Sequence, residues 1–405
     1  MANLSTSQLF LWGLKKAFTS QVSKSQILKS LWKKSTATSV NSPNTLPLDI
    51  PSKEDIYANI AKEQAAKGTK SPFLKMNQGF SYAKQLISFY RHGVSVVWQN
   101  NKKMKEIRKR KYKLEDQLDR AGVETDVVLP RFTPLANTLA QVLYMNFVEN
   151  RSKNENTSSD VIRTDKAVAT TVDEGLFLLT RAEFQLLKRT PSDFAKIPMF
   201  AVLVAIFMEM TPVLCYTFPE VTPSTCVLPS ILPRIWNSKT GKKLRESITA
   251  ESAAPLDDYA MKTAYNMPLE HVHLLTGALR LKSKYIPLAM YPESVLRARL
   301  QNYYNYLTVD NYYLSGLNGG GNLWGLDISE LVLACLERNL VDDIDALVKI
   351  QSLGTLEEKK AEIESLQMKL FQSIANFQNC NIGYLAIGHL LPKPDIGVEK
   401  WRNTM

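Results

Sequence analysis

One carboxylate stands where a carboxylate is expensive. Residues 197–218 read IPMFAVLVAIFMEMTPVLCYTF, and Glu209 is the one charged side chain in the run. A charge at bilayer depth costs about 2.5–3.5 kcal/mol on insertion scales, so it persists where it is paired or used. A carboxylate that takes up and releases a proton there would suit proton-coupled ion movement. Pro212 follows three residues later. It lacks the amide that would bond the Met208 carbonyl, which predicts a kink beside the acid. A structural polar contact to another helix or subunit is the other use of such a group.

Other chemistry finds no constellation. Thr240-Gly241-Lys242 is not a phosphate-binding loop, because Trp236 stands five residues before Gly241 and Lys243 replaces the hydroxyl residue. His271 and His273 on one helix would point about 200° apart rather than converge on a metal. His92 and His389 are isolated. The four cysteines, Cys215, Cys226, Cys335 and Cys380, form no C-x-x-C pair. Neither zinc nor a disulfide framework is predicted, and a reducing compartment is the default. No G-x-S-x-G or H-E-x-x-H run occurs, so the chain reads as a non-enzyme without metal or cofactor.

The elements that must hold these residues are helical in pattern, and the expected fold class is all-α. At 1.5 Å per residue, residues 197–218 span a bilayer core of about 30 Å, which predicts one transmembrane helix. Residues 78–101 predict an amphipathic helix with Phe80, Leu86, Phe89, Val94 and Val97 on its apolar side. Residues 102–113 hold eight Lys/Arg against Glu106. They form either a solvated helical face or a contact to anionic headgroups through Lys102, Lys103, Lys105, Arg108, Lys109, Arg110 and Lys111. Each cation near such a surface is worth about 1 kcal/mol. Residues 134–148 predict a core helix too short to span, and 180–196 a helix opened by a Thr180/Glu183 capping box. Pro219, Pro223, Pro229 and Pro233 exclude a continuous helix after the span. Further helices are predicted near 239–251, 256–265, 269–281, 292–307, 327–338, 342–352 and 355–378. Leu356, Ile363, Leu370 and Phe377 stand seven apart but read as a short packed helix rather than a coiled coil. Gly319-Gly320-Gly321 predicts a turn. Tyr303, Tyr304, Tyr306, Tyr312 and Tyr313 read as helix packing, with stacking on RNA bases as the alternative.

Charge divides the chain. Its net charge is +11. Residues 1–113 hold 21 Lys/Arg and 5 Asp/Glu, a net of +16; the remainder holds 29 and 34, a net of −5. No acidic residue precedes Asp49, a stretch with six lysines and fourteen Ser/Thr. Leu11, Leu14, Phe18 and Val22 recur there at helical spacing. An acid-poor, Ser-rich, amphipathic cationic start is similar to a mitochondrial presequence; a disordered basic tail is the alternative. The predicted organisation is a presequence-like segment 1–48, a linker 49–77, and helices 78–196 with an insertion near 114–178. The span 197–218, a helical body 219–355 and a final helix and tail 356–405 follow.

Several runs resemble the LETM-domain family of mitochondrial inner-membrane proteins, the leucine-zipper, EF-hand-containing transmembrane proteins. Leu179-Thr180-Arg181-Ala182-Glu183 through Leu187, Arg189, Thr190 and Asp193 is similar to that family's L-T-R-x-E-x-x-x-L-x-R-T run. Phe207-Met208-Glu209, Pro212, Phe218-Pro219 and Pro223-Ser224 follow its F-x-E … P … F-P … P-S. Leu296–Leu300, Tyr306–Asp310, Gly319-Gly320 and Glu330–Leu340 resemble its carboxy-terminal body. The D-x-[DN]-x-[DN]-G calcium loop and the long zipper are missing, as in a short, divergent, fungal-like member without an EF-hand. The resemblance implies a single-pass protein of the mitochondrial inner membrane whose carboxy-terminal body, 14-3-3-like and of ribosome-binding type, faces the matrix. It implies potassium/proton exchange and ion and volume homeostasis, with Glu209 carrying the proton step and Pro212 shaping the opening. One span cannot line a pathway, so exchange would need a homo-oligomer or partner subunits. The alternative is a tether that binds mitochondrial ribosomes and supports insertion of inner-membrane proteins, with Arg280, Lys282, Lys284, Arg297 and Arg299 as rRNA contacts.

Overall fold

The computed structural model describes residues 24–35, 37–47, 53–66, 74–109, 112–114, 125–127, 129–141, 143–144, 179–207, 215, 217–228, 238–251, 256–283, 286–287, 290–341 and 355–387. The chain divides into two compact units. The first comprises Met1–Asn41, Arg108–Ala182 and Trp236–Met405, and the second Ser42–Ile107 and Glu183–Ile235.

The helices are α1 (Lys24–Trp32), α2 (Lys53–Ala66), α3 (Leu74–Lys109), α4 (Arg181–Phe207), α5 (Ser238–Glu251), α6 (Leu256–Ala260), α7 (Leu269–Ala278), α8 (Glu293–Ser315), α9 (Ile328–Glu337), α10 (Leu356–Phe377) and α11 (Tyr384–Ile387). Residues 132–141 are helical as well. The predominantly helical class expected from the pattern holds, with one exception. At the start of the segment read as an insertion, β1 (Tyr112–Leu114) pairs antiparallel with β2 (Thr125–Val127), Lys113 opposite Asp126. Three-residue strands are too short to show the alternation that marks a strand in sequence.

In the second unit α3 extends 36 residues and takes in the basic run that followed the predicted helix as far as Lys109. Leu86, Phe89, Tyr90, Val97, Met104 and Ile107 are its buried stripe, spaced one, three or seven residues apart so that they share one helical face. Leu86, Phe89 and Tyr90 share a cluster with Phe200 of α4 and with Cys215, Cys226 and Val227. Gly93 admits the short turn Ser224–Cys226 against the helix. A Cβ there would lie 2.6 Å from the Cys226 sulfur and 2.9 Å from the Thr225 carbonyl oxygen. The Thr225 hydroxyl donates to the Gly93 carbonyl at 3.0 Å. Asp193 of α4 fixes the same turn, accepting from the Ser224 amide at 3.0 Å and its hydroxyl at 2.9 Å.

The predicted boundary between a helix ending at 196 and a separate span does not exist. α4 is one helix from Arg181 to Phe207, with Pro191 and Pro198 inside it. Among the described residues no helix is long and apolar enough to cross a membrane. α4 begins in a polar, charged turn, and the apolar run contributes only its last part. Glu209 and Pro212 lie outside the described residues.

In the first unit α8 is central. Leu296, Leu300, Leu307, Val309 and Leu314 are fully buried on it, and Gly316 closes it in the left-handed conformation at φ 83°. The tyrosines of α8 pack and bond inward. Tyr303 donates to the Glu337 carbonyl at 2.6 Å, Tyr306 to the Glu337 carboxylate at 2.7 Å, and Tyr304 to the Cys380 carbonyl at 3.2 Å. Asn137 is bonded at 2.9 Å to both Asn302 and Asn305, seating the 132–141 helix on α8. On α10, Leu366, Leu370, Phe371 and Ile374 are buried, while Leu356 is exposed, as a packed helix rather than a zipper requires.

The amino-terminal segment is part of this unit. Ile27 and Leu31 of α1 are buried, and Trp32 lies 4.5 Å from Phe371 of α10, ring centre to ring centre. Beyond α1 the chain runs along the loop Gly319–Gly325. The Trp324 indole donates to the Leu31 carbonyl at 2.7 Å, and Asn322 donates to the Lys33 carbonyl. The Ser39 hydroxyl donates to the Gly320 carbonyl. The Asn41 side chain donates to the Gly325 carbonyl and accepts from the Asp327 amide, both at 2.8 Å. The glycines predicted as a turn therefore do more. Gly321 sits at φ 95°, and a Cβ on it would collide with the Ala37 carbonyl; on Gly325 it would lie 2.7 Å from the same oxygen.

Candidate functional site

Two arrangements stand out, a buried ion network in the first unit and an exposed apolar stripe in the second.

The network is built on α8. Its Asp310 is fully buried between two equally buried guanidinium groups. Arg181, in the first turn of α4, meets one carboxylate oxygen at 2.7 Å, and Arg338, just past α9, meets the other at 2.7 Å. Arg181 also reaches Glu330 at 3.4 Å and donates to the Val40 carbonyl at 2.8 Å. Arg338 is completed by Asn311 at 2.7 Å and the Ala334 carbonyl at 3.0 Å. Burial by itself would raise the Asp310 carboxyl, but Arg181 and Arg338 hold it well below the usual carboxylate range. Burial opposes the charge on Arg181, and Asp310 and Glu330 reinforce it, so its guanidinium stays firmly protonated. Two positive and two negative groups balance, which is how such charge is tolerated without water. Each of the six guanidinium nitrogens is directed at a fixed acceptor, so the network ties three helices, α4, α8 and α9, and the amino-terminal segment together.

The stripe is on α3. Met76, Phe80, Ile87 and Trp98 stand four, seven and eleven residues apart, which at 100° per residue puts them within about 40° of one another. Phe80 is 74% exposed, Ile87 68% and Trp98 63%, far more than large apolar groups keep inside a fold. Lys84, Arg91, Lys102, Lys105 and Lys109 lie within about 60° of the same line. Glu106 is the one acidic residue of the helix. In the same unit α4 exposes Met199, Val202 and Ile206.

The other residues singled out in the sequence have definite places. Lys102, Lys103, Lys105 and Lys109 are exposed on α3 and Arg108 is half-buried; Arg110 and Lys111 lie outside the described residues, as does Lys284. Arg297 is a brace. It donates to the carbonyls of Ala264 at 2.6 Å, Tyr265 at 3.1 Å and Met267 at 2.9 Å, and pairs with Glu293 at 2.6 Å. Arg299 donates to the Leu281 carbonyl at 2.8 Å and lies over the Tyr291 ring. Arg280 is exposed at φ 57°, and Lys282 is half-buried, its ammonium pKa lowered by that burial. His271 is buried, with the Tyr259 hydroxyl 2.8 Å from one ring nitrogen and Ser247 3.2 Å from the other. His273 is on a different part of α7, its pKa lowered by burial and by Lys282. Among the described residues no group of three or more His, Cys, Asp or Glu could hold a metal. Burial pushes the Cys226 and Cys335 thiols up to about 12.

Arg181, Asp310, Glu330 and Arg338 were not read as partners from the sequence, although each lies in a run quoted for the LETM resemblance. The available signal was a lone charge inside an apolar helix, as with Asp310 in Tyr306–Leu314. Comparison with curated proteins and with solved structures gave no match. A family model described as the pentamidine resistance factor domain matches residues 40–316. That is a different family from LETM, and it overturns the resemblance. The runs that carried it do structural work any helical fold could need. Thr180 stands just ahead of α4, Arg181 and Asp310 pair in the core, and Pro223-Ser224-Thr225 forms a turn held by Asp193. The matched region covers more than half of the 405 residues, and the chain belongs to the pentamidine resistance factor domain family.

Proposed function

We propose that this protein is a non-enzymatic scaffold docked on the mitochondrial inner membrane, and that its loss changes the response of the cell to pentamidine. The observation that carries the docking is the α3 stripe. An apolar line about 33 Å long, from Met76 to Trp98, is flanked by lysines and arginine and nearly free of acid. A helix of this kind lies in the plane of an anionic bilayer surface, its apolar face among the acyl chains and its cations at the headgroups. The exposed Met199, Val202 and Ile206 of α4 add apolar surface to the same unit. The acid-poor, Ser-rich amino terminus supports the mitochondrial address. The family description supports the pentamidine link. Potassium/proton exchange and ribosome binding were implications of the overturned resemblance, and Glu209, Pro212 and Lys284, on which they would rest, lie outside the described residues.

Flotation with vesicles tests the docking. Purified protein should float with vesicles rich in anionic phospholipid and less with zwitterionic ones. Phe80→Ser with Ile87→Ser and Trp98→Ser should abolish flotation, and Lys102→Gln with Lys105→Gln should weaken it by about thirtyfold, since each cation is worth about 1 kcal/mol. Unchanged flotation of the apolar triple variant would sink the docking. Cells lacking the gene should grow differently from wild type in pentamidine; identical growth curves would remove that part of the proposal.

A further inference from the structure

Residues 1–48 share one composition but not one role. Residues 1–23 lie outside the described residues, and from Lys24 the stretch is built into the first unit. Ile27 and Leu31 are core residues, and the backbone carbonyls of Leu31, Lys33 and Val40 accept from Trp324, Asn322 and Arg181. Asn41 pairs with the Gly325 carbonyl and the Asp327 amide as a peptide group would. Gly321 and Gly325 have given up side chains where Ala37 passes. Removing this segment would leave buried donors, one of them a guanidinium inside the ion network, without acceptors.

We propose that Lys24–Asn41 is a clasp retained in the mature protein, and that leader removal stops ahead of Lys24. The step is hydrolysis of one peptide bond by a processing peptidase, water supplying oxygen to the new carboxylate and a proton to the new amine. The inference rests on the mitochondrial reading for the cut, and on geometry alone for the clasp.

Two measurements test it. The amino-terminal residue of the protein recovered from isolated mitochondria should lie after Met1 and no later than Lys24. A first residue beyond Lys24, or an uncut terminus on imported protein, overturns the proposal. If the protein is not in mitochondria, the localisation fails and the second measurement decides the clasp. A site for a sequence-specific protease is inserted after Pro47 in the full chain, which is cut once folded and passed over a sizing column. The amino-terminal fragment should stay with the rest of the protein. Asn41→Ala with Trp324→Phe should lower its retention by at least about tenfold, the effect of losing bonds to buried groups. A fragment that leaves the unsubstituted protein while the remainder keeps its helical circular dichroism overturns the clasp.

Discussion

Asp310 shows how one residue can be both costly and necessary. Its carboxylate is out of water, and the pairing geometry with Arg181 and Arg338 makes that state tolerable. Removing one member of a buried pair costs about 3–5 kcal/mol, because the remaining charge is left alone. Asp310→Asn should therefore lower the melting temperature steeply, and a thermal melt checks it. Acid should act on the same group. Its folded pKa is depressed, so the stabilisation is complete above its unfolded value of about 3.9 and is lost as pH falls toward the folded pKa. Melting temperatures of the wild type should drop below about pH 4. The Asp310→Asn variant should lack that part of the drop, and identical acid profiles for the two would refute the assignment.

At the scale of elements, Gly93 carries the close approach of α3 and the Ser224–Cys226 turn. Gly93→Ala should destabilise by about 1–3 kcal/mol in spite of the better helix propensity of alanine, since the turn must move. A denaturant midpoint equal to or above that of wild type would contradict this. Most helices were legible because apolar spacing of three and four residues survives in a single sequence: 269–281 against α7, 327–338 against α9 and 355–378 against α10. The run Lys102–Lys109 was harder, because its cations hide Met104 and Ile107, the two residues that keep it on the core. The turn role given to Gly319–Gly321 was incomplete because what requires the glycines is Ala37, nearly three hundred residues away. The packing of Ile27 and Leu31 was not legible because targeting and packing ask for the same lysines and leucines. The ion network was invisible as a site, since nothing in its four positions states that they meet.

For the whole molecule, thiol chemistry reports on packing. At pH 8 the Cys226 and Cys335 thiols, pushed up to about 12 by burial, should react with an aromatic disulfide reagent only after unfolding. Cys380, half-buried, should react first. Rapid native-state modification of Cys226 or Cys335, followed by peptide mapping, would show that the units open far more readily than this packing allows.

The contact between Trp32 and Phe371 joins positions about 340 apart in the chain. A ribosome adding roughly 5–20 residues per second needs on the order of 17–70 s to travel that distance. Throughout that interval α1 has left the tunnel while its binding surface has not been made. The amphipathic start must be kept from sticking elsewhere, so a holding chaperone or an early handover to a translocase becomes a condition of synthesis. A circular permutant that places residues 24–47 after residue 387 would remove the wait, bringing late partners close in time.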